Sequence, residues 1–377
     1  MSPGLRRALR KAALGLLTAG GAWMLLESAT TLFFRDELRW WAQPPAAEDP
    51  TLAVMPGHPY LIYAYRPGTH EERGVQVRIN SLGLRGPEPA RPKPPGVRRL
   101  MSTGDSSVFG FGVPEQTTFT AIAASRLGVE PINAGLPGYS TMQTQALLSL
   151  RAWRAEPDLV LVANLWSDNT FDTFVDAEVI ATLREWDRGP VAAALRLLQH
   201  SAVFRVADWN LRVKPSSARV RTVSWRQDRD ATGRLQRRRV ALNDYVHNLY
   251  AIAGAAQARG ASVAFLVLPN REDIEPRPLD AGAQGPAWEP YRTALRSTAA
   301  AFGAPLIDGP AIVRASGASV DALFLDEMHP TAAGHALLGE AVADSLRTAG
   351  WPNATLGAAT PPAPVPLVDP HVRPEPP

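Results

Sequence analysis

The chain has 377 residues, 45% hydrophobic and 20% charged, with 39 basic and 36 acidic side chains. That length buries a sizeable core, and ordinary apolar content with 29 Gly excludes a disordered or collagen-like chain. A net charge of +3 with no basic stripe argues against nucleic acid, and zero Cys excludes disulfides, thiolate metal sites, a thiol nucleophile and a lipid-modified Cys anchor.

Residues 1–11 carry Arg6, Arg7, Arg10 and Lys11, and an apolar stretch from Ala12 to Phe34 follows with Glu27 as its only charge. Twenty-three helical residues span roughly 35 Å, enough to cross a bilayer core. Two readings compete here. Ala12 to Leu26 alone is short enough for the apolar region of a cleaved signal peptide, but Glu27 and Ser28 follow where a small-x-small cleavage site belongs. The full stretch suits a retained transmembrane signal anchor over 12–34. With the basic cluster on its N-terminal side, either reading sends residues 35 onward across the membrane.

Residues 42–97 are rich in Pro and Gly, and 35–95 read as a linker with a small β-rich extension. They contain the short apolar pieces Tyr60-Leu-Ile-Tyr63 and Val75-Gln-Val-Arg-Ile79, the second alternating with period two. From about residue 96 the pattern changes to short apolar runs separated by amphipathic helical stretches. Strands are predicted at 97–102, 131–133, 158–163, 262–268 and 305–307. Helices are predicted at 115–127, 141–155, 240–259 and 287–302, with a last one after Pro330. Five strands with intervening helices make a doubly wound α/β sheet, whose ligands bind beyond the C-terminal strand ends.

Residues of about 170–239 interrupt this rhythm and read as an insertion over the site, with Trp186, Trp209 and Trp225 as surfaces for sugar stacking or as core. Arg237-Arg238-Arg239 at its end reads as a solvated helix start. Residues 351–377 are expected to be a disordered tail, since 361–377 holds eight prolines in seventeen residues.

Directly after the first predicted strand comes Thr103-Gly-Asp-Ser-Ser-Val-Phe-Gly-Phe-Gly-Val113. A Ser in the turn leaving a parallel strand stands at the catalytic edge of the sheet, and Gly104 permits a sharp turn. An ordinary βα turn with polar capping residues has the same composition. The deciding partner lies downstream in Phe324-Leu-Asp-Glu-Met-His-Pro330, where Asp326 and His329 are three residues apart. Within one tight turn the carboxylate can hold one imidazole nitrogen while the other faces Ser106, and an Asp-oriented His is the base that activates a hydroxyl. A metal site from Asp326, His329 and His335 is the weaker alternative, since there is no His-Glu-x-x-His and no Cys. No Gly-Lys-Ser/Thr supports a phosphate loop, and no cofactor is called for.

Through Gly104-Asp105-Ser106 and Asp326-x-x-His329 the sequence resembles the SGNH/GDSL hydrolase superfamily. The resemblance implies a flavodoxin-like three-layer α/β sandwich with a five-stranded parallel sheet over residues 96–350. It implies hydrolysis or transfer of acyl groups on esters, lipids and carbohydrates. The family's Gly after strand two matches Asn133-Ala-Gly-Leu-Pro-Gly-Tyr-Ser140, giving Gly138 as an oxyanion donor and Gly135 as the alternative. Its Gly-x-Asn-Asp after strand three corresponds to Ala163-Asn-Leu-Trp-Ser-Asp-Asn169, which departs from the pattern. By count the Asn falls on Ser167; Asn169 and Asn164 lie nearby, and Asn169 is the choice because an amide is the stronger fixed donor. Ile79-Asn-Ser-Leu-Gly-Leu-Arg-Gly-Pro87 resembles the segment before the nucleophile in membrane-anchored bacterial members. It implies that the extension packs on the catalytic domain.

The expectation is therefore a serine esterase with Ser106, His329 and Asp326 as triad and the Ser106 and Gly138 N–H groups with Asn169 as oxyanion hole. Its substrate is an acylated small molecule, lipid or polysaccharide, and the enzyme is held by its N-terminal helix in a bacterial inner membrane with the catalytic domain periplasmic. Secretion after signal cleavage is the alternative location. An O-acyltransferase modifying cell-surface polysaccharide and a catalytically silent binding protein are the alternative functions.

Overall fold

The computed structural model describes residues 2–35, 54–58, 60–172, 175–186, 200–208, 237–279 and 285–357, with residues 194, 197, 198, 363 and 364. The chain divides into two compact units, residues 1–48 with 185–221 and residues 49–184 with 222–377.

In the first unit, helix Pro3–Phe33 starts with Ser2 as N-cap and Pro3 in its first turn, so the basic residues 6–11 lie on the same helix as the apolar run. Among the described residues it is the one helix long and apolar enough to cross a membrane. Glu27 accepts hydrogen bonds from Ser201 Oγ at 3.0 Å, from the N–H of Val203 at 3.3 Å and from the N–H of Ala202. It thereby satisfies the open donors at the start of helix Ala202–Asp208.

The second unit opens with two antiparallel ribbons. Strand β1 (Val54–His58) pairs with β2 (Ile62–Tyr65), and β3 (Gly68–Glu72) pairs with β4 (Val75–Ile79). Arg73 and Gly74 link β3 to β4 with φ of 46° and 76°, the positive values that a two-residue hairpin loop needs to follow strand twist. The period-two reading of β4 appears in its burial: Val77 and Ile79 are buried and Gln76 and Arg78 exposed. Asn80 Oδ1 accepts the N–H groups of Leu82 and Leu84 in a tight turn that puts both leucines into the core. The Arg85 N–H then bonds Asn133 C=O at 3.1 Å, joining the extension to the main sheet.

The main sheet is built from β5 (Arg99–Gly104), β6 (Glu130–Gly135), β7 (Leu159–Val162), β10 (Ser262–Val267) and β11 (Leu306–Asp308); β8 (Phe171–Asp172) and β9 (Arg237–Arg238) lie outside it. Its order is β6-β5-β7-β10-β11 and every pairing is parallel. In order of appearance that is 2-1-3-4-5, the flavodoxin-like order, with its switch point between β5 and β7. Each strand lies within two residues of its predicted ends. The middle strands are buried along their whole length, because helices cover both faces of a parallel sheet. Helix Leu242–Gln257 packs between Thr141–Leu150 and Glu289–Ala301, while Phe119–Leu127 packs on Ala332–Thr348.

Three expectations change in detail. The predicted helix at 115–127 breaks at Thr118, whose hydroxyl caps Phe119–Leu127 by accepting the Ala121 N–H. The packed domain runs past residue 350 to Gly357: Trp351 and Leu356 are buried, and Leu356 bonds Ser262 Oγ and the Val263 N–H. Residues 365–377 lie outside the described residues, as do the side chains of Trp186, Trp209 and Trp225.

The third change is larger. Arg237-Arg238-Arg239 is not a solvated helix start. It returns from the insertion as β9, paired antiparallel with β8, and Arg238 and Arg239 are only 3% and 8% exposed. Arg238 stacks on Phe171 at 3.8 Å and donates to Ala287 C=O at 2.8 Å and to Asn169 C=O. Arg239 grips the buried Asp176 with Nε and Nη2, both at 3.0 Å, so the neck of the insertion is fastened by a buried ion pair. Burial on this scale requires hydrogen-bonded partners for each guanidinium, and a charge run alone does not reveal them.

Candidate active site

Strand β5 delivers its last residue, Gly104, into a gap with no room for a side chain. A Cβ there would meet Val108 Cγ2 at 2.3 Å and Ala163 O at 2.9 Å. Asp105 follows as N-cap of the short helix Ser106–Phe109. Its Oδ1 accepts the Ser107 N–H at 3.0 Å, and its Oδ2 accepts the N–H groups of Trp166 and Ser167 at 2.8 and 3.3 Å. Asp105 is fully buried, and burial pushes its carboxyl above the usual range against the pull of those N–H donors. Its work is to staple the loop after β7 to the turn after β5.

Ser106 stands in the first turn of this helix, where backbone N–H groups have no intrahelical acceptor. The other helix end is held by Arg85, whose Nη1 donates to Phe109 C=O at 2.7 Å and to Gly110 C=O at 2.6 Å. Burial pulls Arg85 down to about 10, which leaves it cationic at neutral pH.

The loop between Phe324 and Pro330 is closed by a bridge between these two residues and by Leu325 N–H to His329 C=O at 2.8 Å. Asp326 Oδ1 accepts the N–H groups of Met328 and His329 at 3.1 and 3.0 Å, so one carboxylate both folds the loop and orients the ring. His329 Nδ1 lies 2.8 Å from both Asp326 oxygens, and Nε2 lies 2.7 Å from Ser106 Oγ. Burial alone would raise the Asp326 carboxyl. The bonds from His329 and from the loop N–H groups outweigh it and hold the group well below the usual carboxylate range.

Several contacts here were not read from the sequence. Ser107 Oγ donates to Met328 C=O at 3.0 Å, tying the histidine loop to the turn after β5. Phe111 lies 4.9 Å from the His329 ring, Arg73 lies over Phe111 at 4.3 Å, and Arg73 Nη1 is 3.6 Å from Asp326 Oδ2. Nothing local in the sequence signals this role for Arg73, whose reach from the turn between β3 and β4 to Phe111 and Asp326 is long-range.

Gly138 has φ +75°, and a Cβ on it would strike Tyr63 Oη at 2.3 Å. Its N–H has no acceptor among the described residues, whereas the Gly135 N–H is taken by Asn133 Oδ1 at 3.0 Å. The Gly138 C=O accepts from Arg239 Nη1 at 2.8 Å.

The expectation for Asn169 is corrected. Asn169 is fully buried, and its Nδ2 donates to Leu165 C=O at 2.9 Å, one helical turn back, so the amide faces the protein interior. The shift of two residues that looked easy in a loop is blocked because Trp166–Asn169 is helical. Asn164 is also committed, through Nδ2 to Thr144 Oγ1 at 2.8 Å. Ser167, the position reached by count, has an N–H bonded to Asp105 and a hydroxyl with no partner among the described residues. Asp168 is buried with Oδ1 accepting the Thr141 N–H and hydroxyl at 2.9 and 2.6 Å, and burial pushes it up to about 8.

His335, weighed above as a metal ligand, is fully buried, accepts the Phe119 N–H on Nδ1 at 3.2 Å, and is pulled down to about 3 by burial. It is a neutral pin between two helices. Among the described residues no group of His, Asp or Glu is arranged to hold a metal ion.

Comparison with curated protein sequences gives no match. Among solved structures the chain is similar to Axe2, an acetylxylan esterase from Geobacillus stearothermophilus, at 15% identity and TM-score 0.41, covering 67% of this chain and 94% of that one. It is similar to TesA at 19% identity and TM-score 0.40, covering 67% and 99%. A lipase/acylhydrolase from Enterococcus faecalis matches at 15% identity and TM-score 0.41, covering 67% and 97%. The family model of the GDSL-like lipases/acylhydrolases matches residues 103–337, from the end of β5 into the helix after His329. Spanning well over half the chain, that match means that the protein belongs to the GDSL-like lipase/acylhydrolase family.

Proposed function

We propose that this protein is a serine esterase that cleaves an acyl ester in two steps outside the cytoplasm. The observation that carries the reading is the unbroken relay from Asp326 through both nitrogens of His329 to Ser106 Oγ. Ser106 Oγ attacks the ester carbonyl carbon while its proton passes to His329 Nε2, and the carbonyl electron pair moves onto oxygen. Collapse of the tetrahedral adduct expels the alcohol, which takes the proton from His329 and leaves an acyl-serine. Water, deprotonated by the same nitrogen, then releases the acid and restores Ser106. Asp326 stays ionised throughout and stabilises the imidazolium.

The oxyanion is held by the Ser106 and Gly138 N–H groups, with the Ser167 hydroxyl as third donor in place of the Asn169 amide. Supporting this, Asp105 pins the Ser167 N–H beside the nucleophile turn. Loss of one such donor costs about 10²–10³ in rate. Ser167→Ala is therefore expected to lower kcat toward p-nitrophenyl acetate by at least about tenfold without lowering Tm. Asn169→Ala is expected to lower Tm, since it breaks a buried contact. The reverse pattern in kcat and Tm would return the role to Asn169.

The N-terminal helix, with its basic flank, is consistent with an anchor that leaves the catalytic unit on the far side of the membrane. Acylated small molecules, lipids and polysaccharides are its substrate class. The test is a fluorophosphonate probe on the full-length protein in detergent, with the adduct located by peptide mass mapping. Labelling at Ser106 together with p-nitrophenyl ester hydrolysis is expected. Absence of both overturns the reading in favour of a silent binding protein, and transfer of the acyl group to added polysaccharide would make the enzyme an O-acyltransferase.

A further inference from the structure

The peptide that carries the Gly138 N–H is held from behind. In a trans peptide the C=O and N–H point in opposite directions, so whatever fixes the Pro137 carbonyl also fixes where the Gly138 N–H aims. Two phenol hydroxyls donate to that carbonyl oxygen, Tyr63 at 2.7 Å and Tyr65 at 3.3 Å. Both tyrosines belong to β2 in the extension, outside the sheet that carries the catalytic residues.

The tyrosines are themselves fixed. Tyr63 meets Tyr65 and Tyr139 edge-on, at 6.1 and 5.3 Å between ring centres. Tyr139, the residue after Gly138, donates its hydroxyl to Tyr63 C=O at 2.7 Å, so each segment grips the other's backbone. Burial pushes the Tyr63 phenol up to about 12, which keeps it a donor across the neutral and mildly alkaline range. Its oxygen also sits against Gly138 itself, in the space a Cβ would occupy.

Were the Pro137–Gly138 peptide to flip, its carbonyl lone pairs would face the developing oxyanion in place of an N–H. The flip has to break both phenol hydrogen bonds. A hydrogen bond to the carbonyl also polarises the peptide and strengthens the N–H at its other end. We propose that Tyr63, assisted by Tyr65, is a positioning residue of the oxyanion hole, and that the β-rich extension is thereby a working part of the active site. This rests on the acyl-transfer reading given above.

The test compares wild type, Tyr63→Phe and Tyr63→Phe/Tyr65→Phe as full-length proteins. The single change removes one oxygen and leaves the ring packing, so it carries the test even if the double variant does not fold. Expected for Tyr63→Phe is a kcat about tenfold below wild type, and for the double variant a loss approaching the about 10²–10³ of one whole donor. Rates of fluorophosphonate labelling should fall in parallel, since that reaction also places charge on an oxygen. KM and the acid limb of the pH profile should stay unchanged, because Ser106, His329 and Asp326 are untouched; a merely structural role would move them with kcat. Wild type labelled at Ser106 and Tyr63→Phe labelled at the same rate overturns the inference alone. Wild type without labelling overturns the acyl-transfer reading and the inference together.

Discussion

Asp326→Asn is expected to lower kcat by about 10⁴-fold while the protein stays folded. The new side chain keeps an oxygen at Oδ1, so it can still accept the N–H groups of Met328 and His329 that close the loop. Its NH₂ group, however, now faces His329 Nδ1 and needs an acceptor there. The ring must place its proton on Nε2, the nitrogen that lies 2.7 Å from Ser106 Oγ. A nitrogen that already carries a proton cannot take one from serine, so the hydroxyl stays a weak nucleophile. The carboxylate also loses its contact with Arg73 at 3.6 Å, but that pair is half exposed and contributes little. Steady-state kinetics on p-nitrophenyl acetate with a thermal melt decide the matter. A kcat within tenfold of wild type would mean that Asp326 does not orient the base.

Much of this site was legible because its parts are local. Gly104-Asp105-Ser106 and Asp326-x-x-His329 each act within one turn, the first directly after strand β5 and the second directly after the helix Val320–Leu323. What the sequence did not disclose is long-range polar pairing. Arg85 stood in a quoted motif, yet nothing local says that its guanidinium caps a helix 24 residues away. Arg238 and Arg239 looked like a solvated run, because three adjacent arginines usually are, and only their partners Asp176, Gly138, Asn169 and Ala287 make burial tolerable. Asn169 departs from expectation for the opposite reason. An amide near the expected position seemed the natural donor, but a helical turn points it back to Leu165.

These buried arginines share a purpose with the tyrosines of β2. The loops after β5, β6 and β7 and the histidine loop are joined by side chains as well as by backbone bonds such as Leu136 N–H to Gly104 C=O at 3.0 Å. Asp105 ties the β5 turn to the β7 loop, Ser107 ties it to the histidine loop, and Tyr63 and Arg239 hold the β6 loop from two directions. The extension and the neck of the insertion are in this sense the frame of the β6 loop, the segment that carries Gly138.

Arg239→Met is expected to destabilise the protein by about 3–5 kcal/mol, the cost of leaving one member of a buried ion pair alone. Asp176 has no exposed surface, and Arg239 is the cation that both of its oxygens meet. Asp168 lies in the same buried region, where the Asp176 charge already adds to burial in raising it. With the guanidinium gone, the two carboxylates have no common counter-charge. Arg239→Met/Asp176→Leu removes both charges and should recover most of the loss, because a well-packed apolar pair commonly replaces a buried ion pair at little cost. Activity should not return with stability. The double variant still lacks the donor that meets Gly138 C=O at 2.8 Å and Gln143 Oε1 at 3.0 Å, so the β6 loop is left to the tyrosines alone. Urea unfolding gives the coupling energy of the pair, and kcat measured on the same samples separates the two roles. A single variant as stable as wild type would show that the ion pair does not hold the neck. A double variant with wild-type kcat would show that Arg239 contributes to the fold and not to the working position of the β6 loop.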